Sequence, residues 1–253
     1  IVCSFFVIKG CKFMAGHSKW ANIQHRKNRQ DERKGKAFGK LIKEITVAAK
    51  LGGDDVTTNP RLRLAIEKAK EANLPKDKVK DAINRGCGLL QGVTYEEITY
   101  EGYGAGGVAF LINCLTDNRS RTVAEIRHAF SKHKGNLGTE GSVSYLFDNC
   151  CQFFLNESKD KEEEVLELLI DKGIFEVTPL QDVGIELRGD ADAYTDIKET
   201  LLSNGYKIEF SEVVMLAKVP ISVTAEDLAN IEKLKSVLES LDDVQNVFTN
   251  ADI

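Results

Sequence analysis

The part of the sequence that decides the fold lies at residues 151–219, which read CQFFLNESKDKEEEVLELLIDKGIFEVTPLQDVGIELRGDADAYTDIKETLLSNGYKIEFSEVVMLAKV. The spacing of the apolar residues predicts four strands, at 152–155, 174–177, 183–187 and 207–217. It also predicts two helices, at 161–172 and 193–203. The order β-α-β-β-α-β is that of a ferredoxin-like domain.

The sequence on either side of this stretch predicts a second α/β unit. A strand is expected at 108–114, then a helix in which Thr122 and Glu125 form a capping box, then a strand near 142–147. After residue 219, a helix capped by Thr224 and Asp227 and a strand at 244–248 complete the unit. We therefore expect residues 151–219 to be inserted into a domain made of 89–150 and 220–253.

Three helices are predicted ahead of these units and form a helical domain over residues 14–88. The first extends to about Lys50, and the second begins at Asn59-Pro60, with Asn as the cap and Pro in the first turn. The third extends from about Lys76 to Arg85 and stops at Gly86. The expected fold class is α+β, with an N-terminal three-helix domain followed by two ferredoxin-like α/β domains, the last inserted into the middle one.

Residues 1–13 precede Met14 and do not resemble the rest of the chain, so we interpret them as an upstream extension. No apolar run reaches the roughly 20 residues of a membrane helix, and no membrane contact is expected. The six cysteines contain no C-x-x-C pair, and Cys114 lies in an apolar strand where a buried thiol is typical. This cysteine usage indicates a reducing, cytoplasmic location.

The net charge of −5 averages two unlike parts of the chain. Residues 1–88 hold 20 Lys and Arg against 9 Asp and Glu, a charge of +11. Residues 89–253 hold 14 against 30, a charge of −16. Such asymmetry is typical of a protein that binds nucleic acid at its basic end.

The first helix carries a stripe of positive charge. At 100° per residue, six cations fall within an arc of about 100°, apart from the apolar residues that face the core. They are Arg26, Arg29, Arg33, Lys36, Lys40 and Lys43. Aligned like charges repel each other, which favours a phosphate-bearing partner over a merely solvated face. Arg61 and Arg63 add charge at the exposed start of the second helix.

No enzyme signature is found, and neither a cofactor nor a small-molecule substrate is expected. Gly102–Gly107 matches G-x-G-x-x-G, but it precedes a strand, whereas the dinucleotide motif follows one and opens a helix. A turn is therefore predicted there. His128 and His133 are five residues apart on one helix, which does not suit a zinc site.

Several motifs carry a resemblance to a known family. They are Gly16-His-Ser-Lys-Trp-Ala-Asn-Ile23, His25-Arg-Lys27, Asn59-Pro-Arg-Leu-Arg-Leu-Ala-Ile-Glu-Lys-Ala-Lys70, Leu115-Thr-Asp-Asn-Arg119 and Gly135-Asn-Leu-Gly138. Over essentially all of residues 14–253 the sequence resembles the YebC/PmpR family of transcriptional regulatory proteins. It departs from the family pattern at Gln24, where a Lys is usual, and at Ala105, where a Pro is usual.

The resemblance implies a cytoplasmic protein that binds DNA and regulates transcription. Relatives in mitochondria and bacteria are linked instead to translation, so a ribosome-associated factor that binds RNA is the alternative. An adaptor that binds proteins through its acidic domains is a third interpretation. Trp20 fits either a core anchor or a platform on which a base stacks.

The candidate nucleic-acid contacts rest on charge and motif position. They are His17, Lys19, Trp20, His25, Arg26, Lys27, Arg29, Arg33, Lys36, Lys40, Lys43, Arg61 and Arg63, with Asn118, Arg119 and Arg121 as secondary contacts.

Overall fold

A computed structural model describes residues 34–156, 161–180 and 184–252. In chain order its helices and longer strands are α1 (Lys34–Gly52), α2 (Pro60–Glu71), α3 (Lys76–Gly86), β1 (Glu96–Tyr103), β2 (Ala109–Thr116), α4 (Arg119–Lys132), β3 (Asn136–Leu137), β4 (Phe147–Leu155), α5 (Glu162–Leu169), β5 (Ile174–Leu180), β6 (Gly184–Asp190), α6 (Tyr194–Ser203), β7 (Ile208–Ala217), α7 (Ala225–Ser240) and β8 (Val244–Thr249). The expected α+β class is confirmed.

Helices α1, α2 and α3 share one apolar core, as the helical spacing of the sequence predicts. The core contains Ile45, Ala48, Leu62, Ala65 and Ala82, all almost fully buried. Helix α1 continues through Gly39 without a break, although each helical Gly costs about 1 kcal/mol relative to Ala.

Asn59 joins the end of α1 to the start of α2. Its Oδ1 accepts a hydrogen bond from the backbone N–H of Leu62 at 3.0 Å, which is the expected N-cap bond. Its Nδ2 donates to the carbonyl oxygens of Ala48 at 2.8 Å and Gly53 at 2.9 Å. Asn59 is 4% exposed, so water cannot replace these bonds if they are lost.

Replacing Asn59 with Ala is expected to lower the free energy of unfolding by about 2–3 kcal/mol, because a cap bond and two buried amide bonds disappear together. Urea unfolding followed by circular dichroism at 222 nm measures the loss. Asn59→Asp keeps the cap acceptor but removes the Nδ2 donor, and we expect an intermediate loss. Equal stability of both variants and the parent contradicts this account of the helix junction.

The first sheet has the strand order β3-β1-β2-β8, with every pair antiparallel. Helices α4 and α7 pack on it through a core that contains Phe110, Ile126, Phe130, Leu234 and Leu238. Strand β8 therefore lies beside β2, although more than 100 residues separate the two strands in the sequence. Residues 104–108 form the turn between β1 and β2, while Gly102 and Tyr103 of the predicted turn belong to β1. Gly106 and Gly107 have φ values of 66° and 75°, which favour glycine.

The second sheet has the order β5-β6-β4-β7 and is also antiparallel. Helices α5 and α6 cover it through Phe153, Val165, Leu169, Leu187 and Ile197. All four strands lie in sequence between β3 and β8, so the second unit is inserted into the first. Each predicted strand and helix of this ferredoxin-like stretch is present.

The strand predicted near 142–147 is wrong. Residues Ser144–Leu146 form a short 3-10 helix, and Phe147 begins β4, which belongs to the second sheet. The predicted domain boundary between 150 and 151 therefore falls inside β4. On the side away from β2, strand β1 pairs with the two-residue strand β3 rather than with a strand at 142–147.

In the described part of the chain, no helix is long and apolar enough to span a membrane.

Candidate nucleic-acid interface

Much of the predicted basic site precedes the described part of the chain. His17, Lys19, Trp20, His25, Arg26, Lys27, Arg29 and Arg33 lie outside the described residues. Lys36 lies in α1, but its side chain is also outside the described part. The phosphate-binding role of these residues stays a prediction.

Lys40 contacts the C-terminal end of α7, and Lys43 contacts the turn between α7 and β8. The Nζ of Lys40 donates to the carbonyl oxygen of Glu239 at 3.0 Å, and the Nζ of Lys43 donates to that of Asp242 at 3.0 Å. Lys43 also forms a salt bridge of 2.7 Å with Asp243 and lies 5.5 Å from the centre of the Tyr95 ring. The C-terminal half of the cationic stripe therefore attaches α1 to the first sheet.

Asp243 lies at the centre of this attachment, with a side chain only 3% exposed. Its Oδ1 accepts from Lys43, and its Oδ2 accepts from Arg121 Nη2 at 2.6 Å, Thr122 Oγ1 at 2.8 Å and Thr116 Oγ1 at 3.1 Å. Burial alone would raise the pKa of Asp243. The hydrogen bonds from Lys43, Arg121 and Thr122 outweigh burial and lower the pKa to about 2.

Arg61 and Arg63 are also engaged with acidic side chains. The Arg61 guanidinium bridges Glu44 of α1, at 2.7 Å, and Glu97 of β1, at 2.9 Å. Arg63 lies 3.6 Å from Glu199 of α6. These two predicted contacts thus connect the helices to both α/β units.

The predicted secondary contacts surround the start of α4. Asn118 caps this helix, since its Oδ1 accepts from the N–H of Arg121 at 3.1 Å. Arg119 pairs with Glu96 at 2.6 Å, and Arg121 pairs with Asp117 at 2.7 Å as well as with Asp243. The segment therefore holds the helix start and the Asp243 cluster together.

The predicted capping box of Thr122 and Glu125 is wrong. Helix α4 begins four residues earlier, at Arg119, because Asn118 supplies the cap. Thr122 lies inside the first turn and is fully buried, with its hydroxyl donating to Asp243 Oδ2.

Comparison with known proteins shows the family of the chain. The profile described as the "TACO1/YebC protein N-terminal domain" matches residues 18–89, and that of the "TACO1/YebC second and third domain" matches residues 95–251. The chain belongs to the TACO1/YebC family. The resemblance expected from the sequence motifs is thereby confirmed.

Members of the TACO1/YebC family match the chain along nearly its whole length. A "Probable transcriptional regulatory protein" of Herminiimonas arsenicoxydans is 55% identical over 238 residues, which cover 94% of this chain and 98% of that protein. One from Thiobacillus denitrificans is 54% identical over 240 residues, covering 94% and 98%.

A solved structure shares the fold. It is a conserved hypothetical protein from Aquifex aeolicus, 41% identical, with a TM-score of 0.74. The match covers 87% of this chain and 91% of that one.

Sequence reasoning missed two features of this TACO1/YebC protein. Asp243 escaped notice because its partners are up to 200 residues away in sequence. The exposed cations of α3 were also missed, although four basic residues in eleven are a readable signal. They are Lys76, Lys78, Lys80 and Arg85.

Acid is expected to weaken the attachment between α1 and the first sheet. Because the folded pKa of Asp243 lies below the ordinary value of 3.8, its contribution to stability is complete above about pH 4. It is lost as the pH falls toward 2, and it amounts to about 2 kcal/mol. Urea unfolding between pH 5 and 2.5 measures it. The stability difference between the parent and Asp243→Asn should shrink over this range, and a constant difference contradicts the assignment.

Proposed function

We propose that this chain is a cytoplasmic regulator of transcription that binds DNA through its basic N-terminal part. The observation that carries the proposal is the separation of charge, with +11 on residues 1–88 and −16 on the remainder. Cations that neutralise phosphates provide most of the non-specific affinity of DNA-binding proteins. The names of the relatives from Herminiimonas and Thiobacillus support a role in transcription.

The pairing of charges in the described residues narrows the proposed contact surface. Lys43, Arg61, Arg119 and Arg121 each pair with a carboxylate, and the ammonium group of Lys40 binds a backbone carbonyl. Lys40, Lys43 and Arg61 attach the helices to the first α/β unit, whereas Arg119 and Arg121 bind within that unit, so binding DNA at any of them requires breaking existing bonds. We therefore assign phosphate binding to Arg26, Arg29, Arg33 and Lys36, supported by the exposed cations of α3.

Helix α1, which directly follows the basic segment in the sequence, is anchored through Lys40 and Lys43. Lys40 binds the C-terminal end of α7, Lys43 binds the turn that follows it, and Arg61 holds α2 to β1. The proposal thus places phosphate binding directly ahead of, and at the start of, an anchored helix in the sequence. The proposed action involves no enzymatic step and no cofactor.

Crosslinking in cells, followed by sequencing of the bound nucleic acid, tests the proposal. Enrichment of promoter DNA supports it, and Arg29→Ala/Arg33→Ala should abolish most of that enrichment. Enrichment of ribosomal RNA, with no promoter signal, would replace it with the ribosome-associated alternative. A double variant that crosslinks as well as the parent would remove the basic segment from the function.

A further inference from the structure

We propose that the cleft between the three units binds an extended, positively charged segment of a partner protein, which adds as a strand to the edge of β8. The cleft has a volume of about 2600 Å³. Small-molecule sites typically occupy about 300–1,000 Å³, so its size suits a polypeptide segment. The residues that carry this inference are not those assigned to DNA binding, and the inference therefore stands independently of that proposal.

Two strand edges border the cleft. Strand β8 is the last strand of the first sheet, and β7 is the last strand of the second. Consecutive residues of each line the cleft, at 245–249 and 211–217. Successive side chains of a strand point to opposite faces, so an unbroken run lines a cavity when the edge of the strand borders it.

The edge of β8 is suited to accept another strand. Edge strands are usually protected by charged residues, proline or bulges that prevent pairing with other chains. Strand β8 reads Val-Gln-Asn-Val-Phe-Thr and contains neither charge nor proline, and its one bulge lies near its start, at Gln245. Its other edge pairs with β2 from Val244 to Thr249, and Ala251 beyond it pairs with Ile221, so the edge open to another strand ends at Thr249. Addition of a strand at a sheet edge is a common way of binding extended peptides.

Gln245 offers an unused hydrogen-bond donor at the same place. Its Nε2 is buried and has no acceptor among the described residues. A buried polar group without a partner costs free energy. A carbonyl oxygen of an added strand supplies the missing acceptor.

The charge of the cleft selects a basic segment. Ten acidic and six basic side chains line it. Three of the six, Arg61, Arg119 and Arg188, already pair with carboxylates. An alternating peptide can place apolar side chains against the partly buried Phe248 and direct its cations toward exposed acids such as Glu232. Nucleic acid is disfavoured here because its phosphates meet an excess of carboxylates.

The test uses the full chain and a fluorescent decapeptide of alternating lysine and valine, at 50 mM salt. Fluorescence anisotropy should show that this peptide binds. A peptide of alternating glutamate and valine should bind at least tenfold more weakly. Methylating alternate backbone nitrogens of the lysine–valine peptide should weaken its binding by a similar factor. Methylation keeps the charge but removes the backbone donors. Hydrogen exchange should show new protection at residues 244–249.

Variants test the two features proposed to recognise the peptide, the Gln245 donor and the acidic charge of the cleft. Gln245→Leu should weaken binding about fivefold, the effect of one hydrogen bond, without lowering the melting temperature. Gln91→Leu, in an exposed loop outside the cleft, is its control. Glu232→Lys should weaken binding by a similar factor, and Glu163→Lys on α5 should not.

Several outcomes overturn the inference. They are equal binding of the methylated peptide, protection elsewhere than β8, and no binding at millimolar peptide. If β8 is already protected without peptide and the protection rises with protein concentration, the occupant is a second copy of the chain. If that protection is independent of concentration and is lost in Arg29→Glu/Arg33→Glu, the occupant is the N-terminal segment of the same chain.

Discussion

Replacing Asp243 with Ala is expected to lower the free energy of unfolding by about 3 kcal/mol. Removing one member of a buried ion pair typically costs about 3–5 kcal/mol, because the remaining charge stays buried without its partner. The lower end applies here, since the Arg121 side chain is 44% exposed and can be hydrated again. Lys43, at 15% exposed, and the buried hydroxyls of Thr116 and Thr122 carry most of the cost.

Urea unfolding measures the loss, and Asp242→Ala is the matched control. The neighbouring Asp242 is exposed and contributes only its backbone carbonyl to Lys43, so its replacement should change stability by less than about 0.5 kcal/mol. Amide exchange in α1 should also accelerate in Asp243→Ala, because α1 loses an attachment to the first sheet. A loss of about 1 kcal/mol or less shows that the cluster is dispensable.

Local sequence signals correctly predicted the helices and strands that are determined by residues within the same element or next to it. The second helix begins at Asn59-Pro60 because the cap and the proline act within four residues. Helix α7 is likewise capped by Thr224, whose hydroxyl accepts from the N–H of Asp227. The ferredoxin-like stretch was recognised because its apolar residues alternate or recur within each element.

The sequence predictions fail where a residue far away in the sequence determines the local structure. Thr122 and Glu125 satisfy the capping-box pattern, yet Thr122 binds Asp243, more than 100 residues away, and Asn118 caps the helix. Strand β1 was not predicted because Glu96-Glu-Ile-Thr-Tyr-Glu-Gly-Tyr103 is polar, with buried positions only near its end. Glu101 is buried there because the backbone N–H groups of Gly141, Val143 and Ser144 donate to its carboxylate.

In the candidate site too, the local arrangement of the residues was predictable and their long-range contacts were not. Periodicity placed Lys40 and Lys43 on one face with Arg29 and Arg33, and it placed Ile45 and Ala48 in the core, which is confirmed. It could not show what each part of the cationic face contacts. The end of α7 and the turn after it, about 200 residues further along the chain, bind Lys40 and Lys43.

The salt dependence of DNA binding provides the second major prediction. If Arg26, Arg29, Arg33 and Lys36 each neutralise one phosphate, they contribute about −3.6 to the slope of the logarithm of the affinity against the logarithm of salt concentration, and each α3 cation that contacts a phosphate adds about −0.9. Arg29→Ala/Arg33→Ala should make the slope shallower by about 1.8. Lys40→Ala should leave the slope unchanged, because its ammonium group binds the carbonyl of Glu239.

Fluorescence anisotropy with a promoter duplex between 50 and 200 mM salt measures these slopes. The matched control is Lys172→Ala/Lys233→Ala, which removes two exposed cations from the acidic α/β units. It should not affect binding, since charges farther away than about 8–10 Å are screened at physiological salt. If the double arginine variant keeps the parental slope while Lys40→Ala reduces it, the phosphates bind at the C-terminal half of the stripe. The attachment of α1 to the first sheet then has to open for DNA to bind.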